Sequence, residues 1–337
     1  MRAVVVRDGR LDVEERATPT PAPDEVLVRV HGAGVNRADL LQRAGHYPAP
    51  PGVPVDIPGL EFAGVVEARG ADVVGVAVGD RVMGLAGGGA QATHLAIRAD
   101  QCTRVPDGAD LVTMGGVPEV FVTAHDGMVV QGRLRAGEWV LVHAVGSGVG
   151  TAALQLGVAL GARVVGTART PDKLDRARAL GLHAGIVPAR VEDPHGGRAH
   201  DLDVDALAAA IRDATGGHGA DVVVELVGGA YVDADLAAAA PRARIVLIGA
   251  LAGARASLPI LTVMGLRLTI VGTVLRSRSL DEKADAVAAF ARDVVPLLAD
   301  GTLEPVLDTV VPIERATDAY DLVASDTTFG KVVLDCR

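Results

Sequence analysis

The stretch "HAVGSGVG", residues 143–150, sets glycines at 146, 148 and 150 between an apolar run and an alanine-rich run. The spacing differs from the usual dinucleotide fingerprint, G-x-G-x-x-G. Its context is nevertheless that of a cofactor turn, because a hydrophobic strand precedes it and a helix follows. Gly150 permits close packing of that helix on the strand. Ser147, Gly148 and Val149 open the helix, where small residues let backbone N–H groups approach a pyrophosphate. The next strand ends in "GTARTPDKL", about 20 residues further on, where an NAD site carries an acid for the ribose 2′-hydroxyl. The first acid here is Asp172, already inside the following helix. Arg169, Thr170 and Lys173 stand in its place and suit a 2′-phosphate, which predicts NADP(H). Without a ligand, Arg169 and Lys173 would be ordinary surface cations.

Other chemistries find less support. Cys102 and Cys336 are the two cysteines, which excludes a disulfide framework and a four-cysteine zinc lobe and fits a reducing, cytoplasmic setting. His195 and His200 lie in a polar loop, 188–203, with no carboxylate-rich frame, and read as solvated. A formal net charge of −10 disfavours nucleic acid and anionic membrane as partners. An aromatic content of 2 % also argues against base-stacking modules. The N-terminus meets acidic residues too early for a signal peptide. The most apolar window, 257–275, is interrupted by Pro259, Gly265 and Arg267 and reads as buried strand and loop rather than a membrane span.

Positioning these residues requires an α/β chain. At 337 residues it is long enough for about two domains. The first third, to residue 118, is a set of short β-rich runs broken by Gly, Pro and Asp, with the proline-rich connection "YPAPPGVPVDIPG" as a candidate cleft wall. Over 119–275 strands and helices alternate, the pattern of a doubly wound parallel sheet. Residues 276–337 open with one long helix, "SLDEKADAVAAFARDVVPLLADG", and end in short strands that return to the first domain.

Taken together, "GVNRADLLQRAGHYPAPPG", "IPGLEFAGVV", "GDRV", "PEVFVTAHDG", "HAVGSGVGTAALQLG", "VLRSRS" and "GKVVL" resemble the medium-chain dehydrogenases/reductases. The likeness covers nearly the whole chain. It falls in the zinc-independent quinone oxidoreductase (zeta-crystallin-like) branch, nearest to its tumour-suppressor-inducible NADPH group. It implies a GroES-like catalytic domain made from both chain ends, a Rossmann domain between them, and homodimers joined at the Rossmann sheet edge. The implied reaction is hydride transfer from NADPH to a quinone or other conjugated carbonyl, in a cleft between the domains. Zinc-dependent members carry Cys and "GHE" where this chain has Asn36 and "GLE" (59–61), so no catalytic metal is expected. Without a Lewis acid a simple alcohol is a poor substrate, whereas a conjugated acceptor spreads the incoming charge.

By the same resemblance Asn36 and Tyr47 line the nicotinamide and substrate pocket, Tyr47 either as a proton donor or as wall. Thr123 falls near the nicotinamide, as do Thr273, Val274 and Leu275. Val227, Gly228, Gly249 and Ala250 end strands where ligands bind in open sheets. Thr328 and Lys331 match a C-terminal cofactor contact. Arg276 and Arg278 face either an anionic substrate or surface carboxylates. The chain departs from its relatives at "IVPAR", where Pro188 replaces a tyrosine that packs on the adenosine end, and in the longer 188–203 loop. Two other functions stay open: an enoyl-thioester reductase, and a non-enzymatic nucleotide-binding protein of the crystallin kind.

Overall fold

Val26, Val28 and Val30 are buried and alternate with less buried neighbours along Glu25–Val35, the central strand of the first unit. The structure is a computed structural model that describes residues 1–191 and 202–337. His195 and His200 lie outside the described residues. The chain divides into one unit formed by residues 1–122 and 275–337 and a second formed by 123–274.

The first unit is built on a seven-stranded sheet. Its order is Leu307–Pro312, Lys331–Asp335, Glu25–Val35, Glu61–Arg69, Arg81–Leu85 and Cys102–Arg104, with His94–Arg98 paired to Glu25–Val35. The C-terminal strand joins the N-terminal strands in antiparallel register, Val332 opposite Val35. Phe62, Tyr320, Ile313 and the inward valines fill the core beneath it. This is a GroES-like β-rich fold.

The second unit carries six parallel strands in the order Ala184–Ile186, Arg163–Thr167, Trp139–Val142, Ala220–Glu225, Ala239–Leu247 and Thr269–Gly272. Numbered along the chain, these strands run 3-2-1-4-5-6, the Rossmann order. The order reverses between Trp139–Val142 and Ala220–Glu225, so the ligand crevice opens at the C-terminal ends of those two strands.

Two expectations need correcting. The single long helix predicted after residue 278 is two helices, Leu280–Asp293 and Val295–Ala299, because Pro296 cannot continue the first one's hydrogen bonding. The window 257–275 is neither buried nor wholly strand and loop. Ile260–Leu266 is a helix whose Ile260, Leu261 and Met264 are 65 %, 83 % and 66 % exposed. Spacing of one and three residues puts those side chains on one face, which nothing among the described residues covers. Among the described residues no helix is long and apolar enough to cross a membrane.

Candidate functional site

The glycine turn sits at the crevice. Ser147 caps the helix Gly148–Ala159, its Oγ accepting the Gly150 N–H at 3.0 Å. Gly148 and Val149 occupy the first turn, where N–H groups have no intrahelical acceptor and favour an anion. Gly150 is required by contact: a Cβ there would lie 2.3 Å from Ala144 O and 2.7 Å from Val145 Cα. The helix start thus sits directly against the Ala144–Val145 backbone of the turn.

A pocket of about 270 Å³ in this unit is lined by Arg169, Pro188, Arg190, Leu202, Ala230, Tyr231 and Ala252. Its cations come from the ends of two neighbouring strands. Thr170, at the N-terminus of Pro171–Ala179, and Lys173, one turn into it, are not among the lining residues. Sequence reading missed Arg190 and Tyr231. Tyr231 comes from the start of the helix Ala230–Ala238, 43 positions beyond Pro188, so no local motif announces that the two share a pocket.

The remaining predicted positions of this unit divide between the crevice and its support. Gly228 has φ 74°, a conformation that favours glycine. The N–H groups of Val227 and Gly228 donate to Glu225 Oε1. Gly249 packs against the Leu226 backbone, and Ala250 follows it. Thr123 is buried in Pro118–His125. Thr273 Oγ donates to Asp126 Oδ2 at 2.7 Å. Asp126 begins a turn of π-helix, Asp126–Gln131, which the sequence does not signal. Val274 is half exposed.

In the first unit the sheet register brings together residues nearly 300 positions apart. Lys331 Nζ donates to Asn36 Oδ1 at 2.7 Å and to Val35 O at 3.1 Å, and pairs with Glu61 Oε1 at 2.6 Å. Asn36 Nδ2 donates to the same Glu61 oxygen at 2.9 Å, and Glu119 N to Glu61 Oε2 at 2.9 Å. Behind Asn36 lies the fully buried Asp39, which accepts from Asn36 N, Gly59 N and Gln91 Nε2, while Tyr320 O–H donates to Gln91. Burial raises the Asp39 carboxyl to about 6 against these hydrogen bonds. Burial, helped by the nearby Glu61 charge, raises that of Glu119 to about 8. Thr328 is half buried, and Leu275 is buried in this unit.

Arg276 is not the surface salt-bridging cation that is one of its two expected roles. It is 5 % exposed, donates to Gly87 O, Tyr47 O and Gln42 Oε1, and lies 4.8 Å from the Tyr47 ring centroid. Carbonyl acceptors and an aromatic face satisfy it where a carboxylate would have been guessed. It fixes the Tyr47 loop. Burial, with Glu119 nearby, holds the Tyr47 phenol above its ordinary value.

The donors around Asn36 do not fit a zinc ion. Leu60 offers no ligand atom, and the Asn36 carbonyl oxygen and Glu61 carboxylate already hold the Lys331 ammonium.

Residues 22–131 match the family described as alcohol dehydrogenase GroES-like domain, and residues 148–292 the family described as zinc-binding dehydrogenase. The pikromycin polyketide synthase component PikAII of Streptomyces venezuelae is 33 % identical over 332 residues, which are 96 % of this chain and 8 % of that protein. The chain therefore spans under a tenth of that relative's length. The quinone oxidoreductase of Sus scrofa is 28 % identical over 94 % of this chain and 91 % of its own. A crystal structure of an NAD-dependent alcohol dehydrogenase superposes with TM-score 0.82 at 30 % identity, covering 99 % of each chain. With this fold, these matched families and a 30 % identical relative covered end to end, the chain belongs to the medium-chain dehydrogenase/reductase superfamily.

Proposed function

We propose that the chain is a zinc-independent, NADPH-dependent oxidoreductase that transfers hydride to quinones or other conjugated carbonyls, as in the quinone oxidoreductase branch. The carrying observation is the Lys331 ammonium bound to Asn36 and Glu61. It supplies fixed positive charge where zinc-dependent relatives have metal, which favours an acceptor that delocalises its own charge. Bound NADPH supplies the hydride. The Gly148 and Val149 N–H groups hold the pyrophosphate, and Arg169 and Arg190 the 2′-phosphate, with Tyr231 against the adenosine. Tyr47 hydrogen-bonds the acceptor oxygen.

The near full-length likeness to a polyketide synthase component favours a second reading, an enoyl-thioester reductase, which uses the same hydride chemistry. A screen of NADPH oxidation against quinones, enals and enoyl-thioesters separates the two. Activity with none of them would leave the non-enzymatic, crystallin-like role. We also propose a homodimer. Thr269–Gly272 is an edge strand, and Ile260, Leu261 and Met264 beside it are exposed. Two reduced cysteines, with burial raising the Cys102 thiol to about 12, suit a cytoplasmic setting.

NADPH is expected to exceed NADH in kcat/KM by at least about tenfold, since one charge-assisted contact contributes about 1.5–3 kcal/mol and the lower end applies to exposed cations. Arg169→Ala with Arg190→Ala lowers the NADPH value and spares NADH. Equal losses for both cofactors sink this assignment.

Tyr47→Phe keeps NADPH affinity and lowers turnover by about 10²-fold, the low end of general-acid effects, because a phenol held above its usual value is a weak acid. Unchanged turnover on every accepted substrate reduces Tyr47 to wall material.

A further inference from the structure

Beneath the crevice of the Rossmann unit lies a second group of ionisable side chains to which the reaction above gives no part. His143 directly follows the strand Trp139–Val142, Glu225 ends the neighbouring strand, and Asp235 comes from the helix Ala230–Ala238. All three are fully buried. His143 Nε2 lies 2.7 Å from Asp235 Oδ1 and 3.6 Å from Glu225 Oε2, and its Nδ1 is 3.0 Å from Thr167 Oγ1. Glu225 Oε1 accepts the N–H groups of Val227 and Gly228. That leaves Glu225 Oε2 and Asp235 Oδ2, two of three buried side-chain polar atoms without a hydrogen-bond partner among the described residues.

Two carboxylate oxygens are both acceptors, so neither can satisfy the other. A buried polar atom left unmet costs about 1–3 kcal/mol, and more if charged. The Glu225 and Asp235 side chains are hydrogen-bond neighbours, so one proton between them removes both defects. We propose that Glu225 is a carboxylic acid whose Oε2–H donates to Asp235 Oδ2, and that this shared proton makes His143, Asp235 and Glu225 a positioning network for the two nucleotide-binding turns. Every atom of the network then has a use. Oε1, the carbonyl-like oxygen of Glu225, takes the two N–H groups of the turn at Val227–Gly228. Asp235 accepts one hydrogen bond from Glu225 and one from His143. His143 reaches Thr167, whose Oγ also accepts the N–H of Ala144 at the start of the glycine turn.

The groups facing Glu225 agree with this protonation. Burial raises its carboxyl above the ordinary range and Asp235 raises it further, against the opposing pull of His143. Burial lowers His143, and the Asp235 carboxylate 2.7 Å away outweighs it and raises the imidazole. The Tyr231 ring packs edge-on to His143 at 5.0 Å between centroids. Tyr231 lines the pocket assigned to the adenosine end, so the network touches both the turns and that pocket.

The positioning part rests on the NADPH reading; the shared proton does not, and the two are measured separately. A group raised in the folded state stabilises it fully below its unfolded value, and that contribution is lost as pH rises through the folded value. The thermal midpoint of the wild type should therefore fall as pH rises from about 4.5, the ordinary glutamate range, through neutrality. Glu225→Gln keeps an acceptor for the turn and puts a permanent N–H donor toward Asp235, so its midpoint should lose that part of the fall. It should bind NADPH within about twofold of wild type at pH 6 and keep that affinity at pH 8.5, where the wild type weakens. Glu225→Leu should weaken NADPH by about tenfold at both pH values, since the turn loses its acceptor. If Glu225→Leu fails to fold, Asp235→Leu is the second variant, expected to weaken NADPH and to lose the same pH-dependent part of the thermal midpoint. The proposal is overturned if Glu225→Gln is as damaging as Glu225→Leu at pH 6, which would mean an ionised Glu225. It is equally overturned if the purified wild type carries one equivalent of a divalent metal that Glu225→Gln loses, because the three donors lie within 4.8 Å of one another. Failure of the wild type to bind NADPH at any pH defeats the nucleotide reading, while the midpoints still decide the shared proton.

Discussion

Lys331→Met destabilises the fold by about 3–5 kcal/mol, the usual result of removing one partner from a buried ion pair. The ammonium is nearly buried, and the Glu61 side chain it leaves behind is wholly so. Glu61 would keep the N–H groups of Asn36 and Glu119 but lose the Lys331 cation, and Asn36 Oδ1 would lose its donor as well. Urea denaturation gives the magnitude. The double variant Glu61→Gln with Lys331→Met should recover much of the loss, because no unpaired charge then remains. A drop below about 1 kcal/mol in the single variant would mean that water reaches Glu61 and that the pair behaves as a surface salt bridge. The same variant should lose turnover beyond its loss of stability if the ammonium stabilises charge on the reduced acceptor.

Gly150→Ala should be the most damaging methyl group in the Rossmann unit's turn. The added carbon would stand 2.3 Å from Ala144 O, a backbone atom that cannot swing aside. Either the helix lifts from the strand or the turn opens, at a cost of about 1–3 kcal/mol. Because the same movement displaces the N–H groups of Gly148 and Val149, NADPH affinity should fall by roughly 10–100-fold. Gly265→Ala is the control. Gly265 sits within the helix Ile260–Leu266 with nothing within 4 Å of a new Cβ, so alanine there should stabilise by about 0.5–1 kcal/mol. Equal binding by wild type and Gly150→Ala would show that the turn does not hold the cofactor.

What the sequence by itself determined is local and periodic. The alternation of apolar strands and capped helices announces the parallel sheet, because burial on both faces demands continuous hydrophobic runs. The glycine turn is legible because its three glycines fall between such a strand and such a helix, and the missing acid beside Arg169 because only one strand end had to be located. That Asn36 and Leu60 stand where zinc-dependent relatives carry ligands is legible only through the family resemblance. What only the tertiary structure decided is which distant side chains meet. Lys331 reaches Asn36 because the last strand pairs with the third, Val332 against Val35. His143 meets Asp235 across 92 positions because two strand ends and one helix converge where the order of the sheet reverses. Arg276 is buried because carbonyl oxygens from two separate loops and one glutamine converge on it, and Tyr231 joins Pro188 in one pocket across 43 positions. No periodicity records such contacts. Sheet register sets them, and register is a property of strands that find each other only in the folded chain.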